Sequence, residues 1–498
     1  MERNQEKDKE TCKGTYKEIY QNRRNPILPP RHHIPDVEAH VMPDGMLYLY
    51  GSYDNLEDAY CSEEYHVVST PDMEHWTVHG TALEGRRIPW FGDPDAPKYP
   101  GVDWSHPTPF IRKLFAGMEG RVAEEKCAAE EKCAAEEKSA TEDKCAAEEK
   151  CTVEEKCVAE EKCTAEEKRP LPLLYAPDAV YRDGKYYLYF CMPDDSEGVA
   201  VSHRTQGPFE NPVQLPCGGI DPAVFLDEDG QAYLYWGQFA SHGVRLNPDM
   251  VSFDRGEIVD RLVTEEEHFF HEGSSVRKIG KTYYYVYTDM ERGKPTALGY
   301  ATGQSPLGPF RYQGIIIDNE GCDPDSWNNH GSIQCFHGQW YVFYHRSSRG
   351  GKLHRRLCIE PILIMEDGRI PEVKMTSQGA GEPFAPGERI LGYQACGLKG
   401  GCYIDVDADY GEKLTHISQG DEAVFRYVRS GDGWKEIGMR CNGSGEIEVY
   451  FGCRLAGTVI VEQGACRCGA FAMEAGEYEL TLRFRKAQGL EVLEFTLY

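Results

Sequence analysis

Five short segments put a polar, chemistry-bearing residue where a strand would otherwise carry an apolar one. They read Ile34-Pro35-Asp36-Val37-Glu38, Ala176-Pro177-Asp178-Ala179-Val180, Ile220-Asp221-Pro222-Ala223-Val224, His271-Glu272-Gly273-Ser274-Ser275 and Asn329-His330-Gly331-Ser332-Ile333. At Asp36, Asp178, Asp221, Glu272 and His330, four carboxylates and one imidazole stand among Val, Ala and Ile. Burying a charge is costly without a partner or a use. The use that grouped carboxylates serve is proton transfer. An acid with a raised pKa protonates a leaving oxygen while an ionised one activates water, which is the chemistry that cleaves a glycosidic bond. One such residue alone is most often a turn or cap residue, so the chemical reading rests on their recurrence.

The elements that must position these residues recur with them. Each segment runs into a Gly turn six to nine residues later, at Gly45, Gly184, Gly230, Gly280 and Gly338, followed by an alternating aromatic strand such as Tyr48-Leu49-Tyr50 or Tyr187-Leu188-Tyr189. Period-two alternation after a Gly turn marks the second strand of a hairpin. The last four glycines are 46, 50 and 58 residues apart. The first gap, 139 residues, contains a run of six-residue Ala-Ala-Glu-Glu-Lys-Cys units from Val122 to Arg169 and shrinks to 91 without it. A later element, Gly207-Pro208-Phe209 and Gly308-Pro309-Phe310, also repeats. Repeats of this length with several strands each predict an all-β fold, a five-bladed β-propeller, whose inner strands would aim the five polar residues into one axial channel. The six-residue run is rich in helix formers but turns successive cysteines onto three faces, so it predicts a solvated helical insertion and not a zinc site.

At these residues the sequence resembles glycoside hydrolase family 43, over roughly Asn25 to Lys374 apart from the insertion. The resemblance implies an inverting glycosidase in which Asp36 is the general base, Glu272 in Glu-Gly-Ser-Ser-Val is the general acid, and Asp178 in Ala-Pro-Asp-Ala-Val tunes and orients the acid. It implies a central place for His330, as a water holder or metal ligand, and an arginine close to the acids, which it assigns to Arg346. No cofactor is required, though the resemblance leaves room for a calcium ion at the axis. Substrate contacts are expected from Asp221, from His330 and Arg346, and from the aromatic faces of Trp104, Phe270 and Trp327. His32, His33 or Arg346 would keep Asp36 ionised, and the aromatic surroundings of Glu272 would keep it protonated. The substrate implied is an oligosaccharide or polysaccharide bearing α-L-arabinofuranosyl or β-D-xylosyl groups, attacked from its end. Two other readings stay open: a carbohydrate-binding propeller without catalysis, and a related propeller enzyme that retains configuration or transfers glycosyl groups.

Composition sets the outer bounds. With 54 Lys and Arg against 82 Asp and Glu, the formal charge of −28 disfavours nucleic acid and anionic membrane surfaces as partners. The first residues contain no apolar export segment and no stretch is long enough to span a bilayer, which predicts a cytoplasmic protein with reduced cysteines. The expected organisation is an N-terminal extension (1–24), the propeller (25–375, interrupted by 122–169), a linker (376–394) and a β-sandwich (395–498). Short alternating strands such as Gly445–Phe451, Glu477–Phe484 and Leu490–Tyr498 suggest the sandwich. That segment resembles a family 6 carbohydrate-binding module, with Tyr403, Tyr410, Tyr427 and Trp434 as candidate sugar-binding aromatics.

Overall fold

The computed structural model describes residues 17–103, 170–322, 329–430, 436–462, 465–467 and 473–498. The six-residue repeat, Trp104, Trp327 and Trp434 lie outside the described residues. Five antiparallel sheets form the blades. From the axis outward, the first contains Glu38–Val41, Leu47–Tyr50, Glu64–Thr70, His75–Glu84 and Lys17–Gln21. The second has Tyr175–Arg182, Lys185–Cys191, Ser196–Ser202 and Glu210–Gly218, and the third Ala223–Leu226, Ala232–Trp236 and His242–Arg245. The fourth has Ser275–Ile279, Thr282–Asp289, Ala297–Gly303 and Phe310–Asp318, and the fifth Ser332–Phe336, Gln339–Ser348 and Gly351–Ile362. The innermost strands touch in ring order, and the fifth closes on the first. There the Ser332 hydroxyl donates to the Val37 carbonyl (2.8 Å) and accepts from the Ala39 amide (3.1 Å). No helix among the described residues is long and apolar enough to cross a membrane.

Alternation along each strand explains why the sheets stack. In Lys185–Cys191, Tyr187 and Tyr189 pack with Val224 and Leu234 of the third blade. Leu188 and Phe190 pack with Tyr50 and Val67 of the first. Side chains of successive residues leave a strand on opposite faces, so each blade buries both faces and one apolar cluster fills every gap round the ring. The five turn glycines all have φ between 63° and 84°, with nothing within 4 Å of where a Cβ would stand. Conformation alone therefore selects glycine there.

The outer organisation differs from the expectation in three places. Lys17–Gln21, expected in an N-terminal extension, is the outermost strand of the first blade, paired with His75–His79. The expected linker is packed: Thr376 and Ser377 are buried, and Phe384 belongs to the C-terminal core. The C-terminal region is one hydrogen-bonded nine-stranded antiparallel sheet curled round a core, with longer strands than expected. Two long strands, Ile437–Phe451 and Gly476–Leu497, carry it round a common core, so the two strands expected at 477–484 and 490–498 are one.

This sheet sends a carboxylate into the propeller. Glu412, fully buried, accepts from Arg356 Nη1 at 3.1 Å and lies 3.4 Å from His33 Nε2. Removing one member of a buried pair strands the other, at a cost of about 3–5 kcal/mol. Glu412→Ala should therefore lower the unfolding free energy measured in urea by an amount of that order, while Glu412→Gln, still an acceptor for Arg356, loses less. Equal, negligible losses would mean that Arg356 finds another partner.

Candidate active site

Asp36 lies two residues ahead of the inner strand of the first blade, with φ 57°, a left-handed backbone that costs a non-glycine residue energy and persists only where its surroundings hold it. The Ser52 hydroxyl donates to its Oδ2 (2.7 Å) and Arg355 Nη1 to its Oδ1 (2.7 Å). His345 Nδ1 and His330 Nδ1 lie 3.6 and 3.9 Å from Oδ1. Asp54 fixes the arginine, accepting from its amide (3.0 Å), Nε (2.8 Å) and Nη2 (2.9 Å). Burial alone would push the Asp36 carboxyl up. Arg355, His345, His330 and Ser52 outweigh it and hold the group below the ordinary aspartate range.

Asp221 and Glu272 have a different setting. Asp221 also precedes its strand by two residues and also has positive φ, 54°. Its Oδ2 is 3.6 Å from His330 Nδ1. Burial, then the nearby Glu272 and Asp36 carboxylates, drive its pKa well up. Gln238 Nε2 donates to Glu272 Oε2 at 2.7 Å, and His271 Nε2 is 3.8 Å from the same oxygen. A Cβ on Gly273 would meet the His330 ring at 2.9 Å, so the glycine after Glu272 is what lets the imidazole lie against this strand. Burial, outweighing the pull of Asp36 and Glu272, lowers the pKa of His330. Asp36, Asp221, Glu272 and His330 are thus one buried cluster.

Asp178 belongs to another group, which corrects its expected place beside Glu272. It sits inside the strand Tyr175–Arg182. His40 Nε2 is 2.6 Å from its Oδ1, which also accepts from the Ala179 amide (2.6 Å), and Oδ2 accepts from the Val224 amide (2.7 Å). These bonds stitch the second blade to the first and third. Beside it Arg277 Nη2 donates to Glu38 Oε2 at 2.8 Å, and burial lifts Glu38 to about 8 despite that partner. Donor atoms of Glu38, His40 and Asp178 lie within 4.8 Å of one another, the one grouping of metal-ligand type among the described residues. Calcium takes about six to eight oxygen ligands. With a guanidinium already on Glu38 and a nitrogen as one of three donors, this set does not build such a cage, and no step below passes through a metal.

Other expected contacts also change. Arg346, fully buried, donates to the Tyr344 hydroxyl (2.9 Å) and to the carbonyls of Thr376 and Ala395, so it holds the C-terminal region against the fifth blade. Arg355, nine residues on, takes its place at the acids. Phe270 is a core residue packed edge-on against Tyr285 and Tyr287 and not a sugar face. His32 pairs with Glu18 at 3.0 Å and His33 with Glu412, so neither supports Asp36. Of the C-terminal aromatics, Tyr403 stacks on His416 with ring centres 4.2 Å apart, and Arg389 and Arg440 lie over Tyr410.

The family described as "Glycosyl hydrolases family 43" matches residues 152–370. A xylosidase/arabinosidase of Bacteroides ovatus is 33% identical over 238 residues, which cover 39% of this chain and 71% of that protein. The chain belongs to glycosyl hydrolase family 43. This family 43 glycosidase is also 29% identical, over 422 residues, to a xylosidase/arabinosidase of Thermoclostridium stercorarium, covering 76% of this chain and 72% of that one. Among solved structures, it aligns with a family 43 β-xylosidase/α-arabinofuranosidase from a compost microbial metagenome at 25% identity and TM-score 0.48, covering 72% of this chain and 99% of that one.

Proposed function

We propose that this family 43 enzyme removes terminal β-D-xylosyl or α-L-arabinofuranosyl groups from oligosaccharides with inversion of configuration, Asp36 acting as general base and Glu272 as general acid. The observation that carries the reading is the opposed treatment of the acids. Asp36 is held ionised by a guanidinium, two imidazoles and a hydroxyl. Asp221, beside Glu272, is pushed the other way: burial, then the charges of Glu272 and Asp36, raise its pKa. Carboxyls treated so differently within one cluster suit the base and the proton source that inverting hydrolysis needs.

In this scheme a water beside Asp36 loses its proton to the carboxylate as it attacks the anomeric carbon, and Arg355 keeps that carboxylate in place. Gln238 Nε2 donates to Oε2 of Glu272 and orients the carboxyl that protonates the departing oxygen. Asp221 keeps the proton on the pair, the part first expected of Asp178. The sugar preference is supported by the names of the relatives, which include an arabinoxylan arabinofuranohydrolase of Bacillus subtilis, 31% identical over 39% of this chain. For the C-terminal sheet we propose a buttressing role, supported by the burial of Glu412 and Arg346 at its junction with the propeller.

The test is hydrolysis of 4-nitrophenyl β-D-xyloside, α-L-arabinofuranoside and β-D-galactoside, with the first-formed sugar followed by proton NMR. The expected result is cleavage of one of the first two, with α-xylose as the initial product of the β-xyloside. A retained anomer would transfer the case to the retaining or glycosyl-transferring reading. Binding of sugars without cleavage of any glycoside would favour the non-catalytic one.

A further inference from the structure

Tyr60 lies between the strands Leu47–Tyr50 and Glu64–Thr70 of the first blade. The centre of its ring is 4.9 Å from the guanidinium carbon of Arg355, the residue that grips Asp36, and 4.8 Å from Lys352 Nζ. Its hydroxyl is buried and has no hydrogen-bond partner. The propeller treats its deeply buried tyrosines differently from the half-buried Tyr60. Tyr50, Tyr189, Tyr235 and Tyr287 donate to backbone carbonyls, Tyr285 to Ser274 and Tyr344 to Glu360, at 2.7–3.0 Å. Among the described residues only Tyr20, on the outermost strand of the first blade, shares the state of Tyr60.

A buried phenol without a partner is destabilising, and phenylalanine would fill the same space without that cost. The hydroxyl at position 60 therefore has no use within the folded chain itself. Its surroundings say what it could serve. The charges acting on it are those of Arg355, Glu272, Asp36 and Asp54, which are the acid, the base and the groups that hold the base. Burial pushes its pKa further above the ordinary tyrosine value, so it stays a neutral donor throughout the working range.

We propose that Tyr60 is a substrate-binding residue whose hydroxyl donates a hydrogen bond to a ring hydroxyl of the sugar unit held between Asp36 and Glu272. The proposal rests on the reading of those two carboxylates as base and acid, and it adds a specificity element. A site that hydrogen-bonds a substrate hydroxyl discriminates against the sugar lacking it, because the phenol is then left unpaired.

The experiment is Tyr60→Phe, assayed for hydrolysis, for thermal stability, and for binding of free D-xylose and L-arabinose by calorimetry. Loss of one neutral hydrogen bond predicts a fall of about tenfold in kcat/KM and in affinity for the sugar that binds, with the melting temperature unchanged or higher. On a series of monodeoxy glycosides, wild type should be penalised at one ring position and Tyr60→Phe should be indifferent there. Hydrolysis and sugar affinity both within twofold of wild type would overturn the proposal. So would a loss of activity matched by a lowered melting temperature with sugar affinity intact. Asp36→Asn tests the underlying reading separately. An active Asp36→Asn enzyme would remove the base assignment, while the calorimetric result on Tyr60→Phe, which needs no chemistry, would still stand or fall by itself.

Discussion

Asp36→Asn and Glu272→Gln should each lower kcat by about 10²–10⁴-fold, the range that removal of a general base or acid commands, and leave the circular dichroism spectrum of the fold unchanged. The fold should survive because both changes are isosteric and asparagine tolerates the left-handed backbone that position 36 adopts. The two losses should differ in character. A leaving group of low pKa needs little protonation, so a dinitrophenyl glycoside should restore much of the rate of Glu272→Gln and little of that of Asp36→Asn. Asp36→Asn also removes the negative charge that Arg355 and the two imidazoles were arranged around. Rescue by added azide, a small anionic nucleophile that needs no base, is expected for that variant alone. Equal rescue of both by the better leaving group would sink the division of roles, and activity within a fewfold of wild type would remove the residue concerned from the mechanism.

Asp221→Asn should narrow the pH range of the enzyme from its alkaline side. The like charges of Asp221 and Glu272 make the last proton of the pair hard to remove. With one carboxyl gone that proton leaves more easily, so the alkaline limb of kcat moves toward acid. The limb belongs to the coupled pair and not to either residue. The acidic limb, governed by Asp36 and its cations, reports a pKa held low, and it should move much less. Asp178→Asn provides the contrast. Its oxygens bond to His40 and to two backbone amides, so it should cost stability of about 1 kcal/mol and leave the alkaline limb in place. The reverse outcome, a moved limb in Asp178→Asn and a fixed one in Asp221→Asn, would restore the tuning role to Asp178.

The propeller and the level of its active end were legible because both are written in local pattern: a glycine that needs positive φ, then a strand whose alternate residues face different neighbours. The error over Asp178 was also local, and its signal was present. Asp36, Asp221, Glu272 and His330 stand eight or nine residues before their turn glycines, whereas Asp178 stands six before Gly184. The nearer position puts it within the strand, facing adjacent blades, while the others precede their strands and gather at the pole. Arg355 was missed for a different reason. Arg346 and Arg355 lie on neighbouring antiparallel strands, and which of them reaches Asp36 depends on packing against Asp54, more than 300 residues earlier in the chain. Gln238 and Ser52 carry no sequence mark at all, since a single amide or hydroxyl in a loop resembles any other. In the C-terminal region, alternation located the strands but could not say that two of them were one.

The two adjacent arginines on the strand Gly351–Ile362 serve different masters: Arg355 holds Asp36, and Arg356 is held by Glu412 of the C-terminal sheet. The catalytic base and the second domain therefore constrain the same few residues. In evolutionary terms the propeller is not a cassette. A module swapped in behind residue 375 that lacked a carboxylate at the position of Glu412 would leave a buried cation one residue from the arginine of the base. Recombination at this boundary should be tolerated only where both partners exchange together, so Arg356 and Glu412 are expected to be inherited, or lost, as a pair.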